Sequence, residues 1–369
     1  TKADDHRQIK GILMTRLFIP GPVDVDPEVA AAQTRDMLPH RSEEFETLYR
    51  RTWDKASRLF ATSQRVFIIT SSGTGLHEAA VRNLANGDVL SCVNGAFGQR
   101  WHQVALSNGK SADQLEADWG QPILPDQVAG ALRKKSYEIV TVVHNETSTG
   151  LENPLREITA AVQETSPETL VCVDAVSSLG GVEIDMDGWG LDFVLSSSQK
   201  CIALPPGLSL AAVSDRAMAR VKQVPNRGWY FDLARLERHL LKDSTPATPA
   251  ISLIYALDVQ MDRMLAEGLE KRFKRHSDMA ARVQEWALEQ GLDLYAAERY
   301  RSKTVTAVLN TLDLDIAELN AYLMKKDMRI ANGYGPLKDK TFRIAHMGET
   351  QIKDLEQLLK RMEKFIQSK

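Results

Sequence analysis

The chain has 369 residues, of which 43% are hydrophobic and 26% charged, and its formal net charge is −3. That length and balance allow a sizeable core and two domains, and the weak net charge gives no footprint for nucleic acid or an anionic membrane surface. No apolar run approaches the roughly 20 residues of a membrane-spanning helix. Cys92 and Cys172 sit in apolar strand-like runs and Cys201 stands alone, a pattern of reduced thiols rather than disulfides. The charged Thr1–Arg7 stretch lacks a signal-peptide core, so the cytoplasm is the expected location, with Met14 as the expected natural start.

Strand-like and helix-like runs alternate through the first two thirds. Val66–Thr70 reads as a strand, then a Gly/Ser turn and a helix from Leu76 to about Ala85. Val89–Asn94 and Glu138–His144 read as strands, followed by a helix from Leu155 to Glu164. Leu170–Asp174, Phe193–Ser196 and Leu208–Val213 complete the strand set. Short, continuous apolar strands separated by helices predict a mainly parallel sheet covered on both faces. After Ser252 the composition shifts to long helical patterns, with Tyr255 to about Glu289 reading as one helical stretch. The basic Lys271–His276 run inside it reads as a solvated helix face. A strand at Thr304–Leu309, a helix near Ile316–Lys325, a strand at Thr341–Ala345 and an amphipathic C-terminal helix follow. That last helix places Ile352, Leu355, Leu359, Met362 and Ile366 on one face, as core packing requires. The expected division is an N-terminal segment over 1–24, a large α/β domain over 25–252 and a smaller α+β domain over 253–369.

Ligands of an open parallel sheet bind outside the carboxyl ends of its strands, so the polar residues after each strand are candidate site residues. They comprise Ser71-Ser72-Gly73-Thr74-Gly75, Asn94–Gly98, His144–Thr147, Asp174, and Ser197-Ser198-Gln199-Lys200. The Ser71–Gly75 turn leads into a helix, which suits a phosphate cradle of free N–H groups, although a ligand-free turn has the same look. Glu78 stands where a dinucleotide fingerprint needs its third glycine, and no Gly-Lys-Ser/Thr follows. His144-x-Glu146 has zinc-deaminase spacing without the downstream Pro-Cys-x-x-Cys, so no metal is expected.

Asp174 closes an apolar strand and needs a cationic or N–H partner: a cap, an arginine, or a protonated pyridine nitrogen. Lys200 lies between Phe193–Ser196 and the uncharged Cys201–Gly207, where an unpaired cation is costly to bury. A neutral or covalently engaged amine resolves that cost, as does snorkelling to water. Arg343, flanked by Phe342 and Ile344, suits either a structural ion pair or bidentate binding of a carboxylate.

A phosphate-type turn, a buried strand aspartate and a lysine 26 residues later resemble the fold-type I pyridoxal-phosphate enzymes. The detail is similar to the class V aminotransferases, in particular the alanine–glyoxylate or serine–pyruvate transaminase group. The matching stretches are Pro20-Gly21-Pro22, Ser71–Gly75, Asn94–Gly98, His144–Gly150, Val173–Ser178, Ser198-Gln199-Lys200 and Phe342–Gly348, and the similarity runs from about Leu17 to the C-terminus. The resemblance implies a mainly parallel seven-stranded sheet in the large domain, a smaller α+β C-terminal domain and a homodimer.

It also implies roles for named residues. Lys200 would carry the Schiff-base link to pyridoxal 5′-phosphate and then move the proton. Asp174 would pair with the pyridine nitrogen, and Thr147 would bond near the ring hydroxyl. Ser72, Gly73, Thr74 and Gln199 would hold the phosphate, with Thr248 and Thr245 reaching it from the partner subunit. Val176 and Phe97 would pack on opposite ring faces; the best-known animal members carry tryptophan at the Phe97 position. Gly21 and Arg343 would bind substrate, Arg343 through its carboxylate. The expected reaction moves an amino group from a small amino acid (alanine or serine) to glyoxylate or pyruvate. Phosphoserine transamination is the nearest rival and would need further basic side chains. Cysteine desulfuration would need a cysteine in the last third, and Cys201 is the last one. A cofactor-binding protein without activity is the remaining alternative.

Overall fold

Seven strands form the large sheet, in the spatial order Arg65–Thr70, Leu208–Val213, Phe193–Ser197, Leu170–Asp174, Ile139–Val143, Asp88–Val93 and Ser111–Glu116. Only Leu208–Val213 runs against the others. The computed structural model describes residues 15–369 and, ahead of them, the strands Gln8–Ile9 and Ile12–Leu13; Met14 lies outside the described residues. Ile139–Val143, Leu170–Asp174 and Phe193–Ser197 are buried along their whole length, because helices cover both faces of a parallel sheet. Ser111–Glu116 was not foreseen from sequence. It is the edge strand beside Asp88–Val93, and its mostly polar, part-exposed residues carry no apolar run.

A second sheet of five strands follows the order Asp293–Leu294, Val305–Leu309, Thr341–Ala345, Met328–Asn332 and Arg16–Phe18. Its edge comes from the N-terminus: Arg16–Phe18 pairs in parallel with Met328–Asn332. The chain then turns at Gly21 toward the carboxyl ends of the large sheet, where Val23 N–H donates to the Gln199 carbonyl (3.2 Å).

The long helical stretch after Ser252 is two helices, Ile251–Glu267 and Leu269–Glu289, separated by Gly268 at φ +86°. A left-handed backbone of this kind stops a helix and favours glycine. The first helix buries Ile254, Leu257, Met261 and Met264 in the large core. The second contributes Met279, Val283 and Trp286 to the smaller one. The change from one core to the other therefore falls in the second helix, between Leu269, which still packs on the large core, and Met279, and the boundary expected at Ser252 lies within a helix of the large core.

Two further expectations are corrected. The C-terminal helix, Ile352–Ile366, buries Leu355, Leu358, Leu359, Met362 and Phe365, while Ile352 at its start is 45% exposed. The basic run at Lys271–His276 is a solvated face only at Lys271 and Lys274. Arg272 and His276 are fully buried, and the Arg272 guanidinium bridges Glu267 (2.7 Å) and Glu349 (3.0 Å). Arg272 also donates to the carbonyls of Gly180 (3.0 Å) and Cys201 (2.9 Å), fixing the loop next to Lys200. Alternating Lys and Arg on a helix gives no sign of which one points inward.

Candidate active site

Asp174 ends its strand with only 4% of its surface exposed. Its Oδ1 accepts the Val176 N–H (2.8 Å), and its Oδ2 lies 2.7 Å from His77 Nε2. A carboxylate only accepts, so Nε2 carries the proton between them. His77 sits in the helix Gly73–Leu84 and stacks on Trp101, with ring centroids 4.6 Å apart and planes 18° from parallel. Trp101 Nε1–H donates back to the His77 carbonyl (3.2 Å). Sequence reasoning missed this partner. The available signal was a histidine at an inward-facing position of an otherwise apolar helix face.

The same helix begins at Gly73, and the side chain of its N-cap, Ser72, makes no capping bond. A Cβ on Gly73 would stand 2.7 Å from Val176 Cγ2, and one on Gly75 would stand 2.1 Å from Ser71 Oγ and 2.8 Å from Phe231 Cζ. Both glycines are thus demanded by close approach. Ser197 Oγ, 3.6 Å from that same built Gly73 Cβ, is buried without a hydrogen-bond partner. An open N-cap hydroxyl, a glycine floor and an unsatisfied buried hydroxyl fit an anionic group at this turn.

Lys200 follows the strand Phe193–Ser197, and its side chain crosses Gly21, whose φ is +85°. A Cβ on Gly21 would come within 2.6 Å of Lys200 Cδ, 2.8 Å of Cε and 2.9 Å of the Gln199 carbonyl oxygen. The Lys200 ammonium donates to the Pro20 carbonyl. Burial, helped by the nearby Arg343 charge, pushes the amine down to about 8. Gly21→Ala is expected to destabilise the fold by about 1–2 kcal/mol through the left-handed backbone alone. It should also displace the Lys200 side chain, and denaturant unfolding measures the loss of stability.

Arg343 reaches the site from the second sheet, on the strand Thr341–Ala345, and is 8% exposed. Nε and Nη2 both donate to the Asn332 carbonyl (3.1 Å each), and Nη1 donates to the Thr147 carbonyl (3.3 Å). Among the described residues it has carbonyl partners and no carboxylate at ion-pair distance. Burial pushes its guanidinium down to about 10. Thr147 is buried, and its hydroxyl donates to Ser177 Oγ (2.8 Å), which Asn145 Nδ2 also reaches (2.7 Å). Glu146 is buried beneath, accepting from Ser148 Oγ–H (2.5 Å) and from the N–H groups of Ser148 (3.1 Å), Phe97 (3.0 Å) and Gly98 (3.2 Å). Burial raises its carboxyl, with those four donors opposing. The Phe97 ring lies against Tyr334 (centroids 5.7 Å apart) and under Arg100, whose Cζ is 4.8 Å from the ring centre.

The structure thus places Gly21 and Gln199 against Lys200, Gly73 against Val176, whose N–H Asp174 accepts, and Thr147 against Arg343, with the charges of Asp174 and Arg343 both felt at Lys200; Ser72 and Thr74 lie on the turn at Gly73, and Phe97 packs against Tyr334. It does not bring Thr245 or Thr248 to that turn within one chain. Thr245 Oγ1 donates to Ala247 O (2.8 Å) in its own loop, and Thr248 Oγ1 lies 3.4 Å from His40 Nε2. Among the described residues no group of three or more His, Cys, Asp or Glu could hold a metal ion, and no helix is long and apolar enough to cross a membrane.

Comparison with known proteins gives a consistent outcome. Residues 28–336 match the family model described as aminotransferase class V. An uncharacterised aminotransferase of Methanocaldococcus jannaschii is 38% identical, over 90% of this chain and 87% of its own length. The L-aspartate–glyoxylate aminotransferase of Paracoccus denitrificans is 33% identical over 90% of this chain and 86% of its length. The crystal structure of a subgroup IV aspartate aminotransferase from Thermus thermophilus superposes with a TM-score of 0.89 at 31% identity, covering 96% of this chain and 99% of that one.

Proposed function

The chain belongs to the class V aminotransferases and is an enzyme of that type, and from that premise we propose that it is a pyridoxal-phosphate-dependent transaminase passing an amino group from a small amino acid to glyoxylate or pyruvate. The observation that carries this reading is Lys200. A buried amine lowered to about 8 stands in reach of the charges of Asp174 and Arg343, and a glycine is kept beneath its side chain.

The residues fit the cofactor that the family implies. Asp174, fixed at both oxygens, would hold the ring nitrogen. Ser72, Gly73 and Thr74 would take the phosphate at the helix N-terminus, with Gln199 beside them. Val176 and Phe97 would flank the ring, and Thr147 would face its hydroxyl edge. When bound, pyridoxal phosphate supplies a protonated ring that accepts the electron pair left when a proton leaves the substrate Cα.

The protein's own groups do the rest. The lowered Lys200 amine is free to take that proton and return it one position away. Asp174 favours a positive charge on whatever nitrogen it faces. Arg343 receives the substrate carboxylate in a site from which most water is excluded, where a bidentate pair is strongest.

Cysteine desulfuration is disfavoured by the state of Cys201, whose thiol is buried and pushed up to about 11. We place the working unit in a homodimer in the cytoplasm. Thr245 and Thr248 share a surface pocket with Tyr230, which is 42% exposed, a surface suited to a second copy offering these hydroxyls.

The test is a half-reaction screen. The cofactor-loaded enzyme is mixed with each amino acid alone, and loss of the lysine-linked absorbance is followed together with release of the 2-oxo acid. Conversion by no amino acid would overturn the reading. Arg343→Gln is expected to raise KM for amino and oxo acids by about 10- to 100-fold with cofactor retained, as loss of a charge-assisted bidentate contact does. Unchanged kinetics would reduce Arg343 to a structural residue.

A further inference from the structure

One histidine among the strand-end residues plays no part in the site just described. His144 follows the strand Ile139–Val143 and is 4% exposed. Its side chain has no hydrogen-bond partner among the described residues, and its Nδ1 is fully buried. A buried polar side chain without a partner is uncommon and calls for a ligand or a water. The ring lines an open cleft of about 480 Å³ that includes none of the residues assigned above to cofactor or substrate.

The helix Leu155–Thr165 begins in the same cleft. Its N-cap, Pro154, has no side-chain cap to give, and the N–H groups of Arg156 and Glu157 have no acceptor among the described residues. An uncapped helix N-terminus combines free donors with a partial positive charge. The opposite wall is the segment before the strand Val305–Leu309 of the second sheet, tied across where the Ser302 N–H donates to the Gly150 carbonyl (2.9 Å). It brings Arg299, Arg301 and Lys303 to the cleft. Among the described residues the guanidiniums of Arg156 and Arg299 make no hydrogen bond or ion pair, and that of Arg301 meets only the Ala296 carbonyl (3.4 Å). Lys303 is paired with Glu152 (2.6 Å). With Glu152 and Glu157 both counted at full charge, the lining residues still carry four cations against two carboxylates.

We propose that this cleft is a second ligand site, separate from the transaminase centre, and that it takes a small phosphate-bearing anion with at least two negative charges. The N–H groups of Arg156 and Glu157 receive a phosphate at the helix N-terminus. The guanidiniums of Arg156, Arg299 and Arg301 balance its charge, and His144 gains the partner it lacks. A phosphate group presents three strong acceptor oxygens and close to two charges, whereas a carboxylate presents two oxygens and one charge. Only the phosphate matches the donors and the surplus charge of this cleft with a single group.

The test is calorimetric binding of inorganic pyrophosphate to the cofactor-loaded protein, with citrate at equal ionic strength as the carboxylate control. One pyrophosphate per chain is expected, bound at least about 10-fold more tightly than citrate, the worth of one charge-assisted bond. Arg156 and Arg299 are exposed, so Arg156→Gln combined with Arg299→Gln should leave fold and transamination unchanged. That double variant is expected to weaken pyrophosphate by about 100-fold, about 10-fold for each charge-assisted bond lost. Arg343→Gln should leave pyrophosphate binding as it is, which separates this cleft from the substrate site. Pyrophosphate should also raise the unfolding temperature of wild type and not of the double variant. Absence of saturable pyrophosphate binding, citrate bound as tightly, or binding that survives the double variant would each overturn the inference, as would binding lost in Arg343→Gln. None of these outcomes bears on the transaminase reading. Should the double variant not fold, the citrate comparison and Arg343→Gln still decide.

Discussion

Lys200→Ala is expected to yield a folded protein with no borohydride-reducible cofactor and with transamination reduced by about 10⁴-fold or more, the upper range for loss of a positioned proton-transfer group. The fold should survive because the substitution removes a desolvated cation, a net burden to the free protein, while the surrounding backbone keeps its anchors at Ser198, Arg272 and Val23. Lys200→Arg is the sharper control. It retains a positive charge and hydrogen-bonding capacity at the same position, yet a guanidinium remains protonated and is no nucleophile, so it should be as inactive as alanine. In the wild-type apo-protein an amine lowered to about 8 is mostly protonated at pH 6 and mostly neutral at pH 9. Only the neutral amine attacks a carbonyl, so the rate of pyridoxal-phosphate capture should rise with pH through about 8 and then level. Stopped-flow absorbance measures this without any turnover. Capture that rises only above about pH 10, the ordinary lysine range, would show that burial does not tune Lys200. A reducible linkage at another lysine in Lys200→Ala would place the chemistry elsewhere.

Much of this site was legible because fold and chemistry use the same punctuation. A continuously apolar strand such as Leu170–Asp174 announces both a buried parallel strand and, at its last residue, a polar group facing the ligand end of the sheet. Lys200 was conspicuous because nothing around it in the chain could neutralise it. What the sequence concealed depends on contacts between distant segments. His77 meets Asp174 across 97 positions, and Arg272 meets Cys201 across 71. Neither pairing leaves a periodic trace, and a charged residue on a mixed helix reads as solvated until packing says otherwise. Tyr334 was silent for another reason. It lies on the short connection after Met328–Asn332, a strand whose alternating buried and exposed residues were too brief to stand out, and it matters only because it touches Phe97, Arg100 and Arg343 at once.

Asp174→Asn and Asp174→Ala should separate the electrostatic role of this carboxylate from its structural one. In Asp174→Asn the amide oxygen keeps the Val176 N–H and the amide NH2 donates to His77 Nε2, whose proton moves to the unpartnered Nδ1, so thermal stability should change little. The negative charge is lost, and a carboxylate in contact with a basic nitrogen raises that nitrogen's proton affinity by about 1–3 pKa units. Each unit is worth a factor of ten where protonation controls the rate. Single-turnover amino transfer should therefore fall by about 10- to 1000-fold in the asparagine variant. In Asp174→Ala the same catalytic loss is joined by a buried His77 with both ring nitrogens unpartnered, since Nδ1 already lacks a hydrogen-bond partner. A buried polar group stripped of its only bond costs about 1–3 kcal/mol, so the alanine variant should also unfold earlier. If both variants lost stability equally while the asparagine form kept wild-type single-turnover rates, Asp174 would be a packing residue serving His77 and Trp101, and its place opposite a ring nitrogen would fall. The contrast is informative because the His77–Trp101 stack fixes the carboxylate from behind, so any change in rate at constant stability must come from the charge that Asp174 presents to the site.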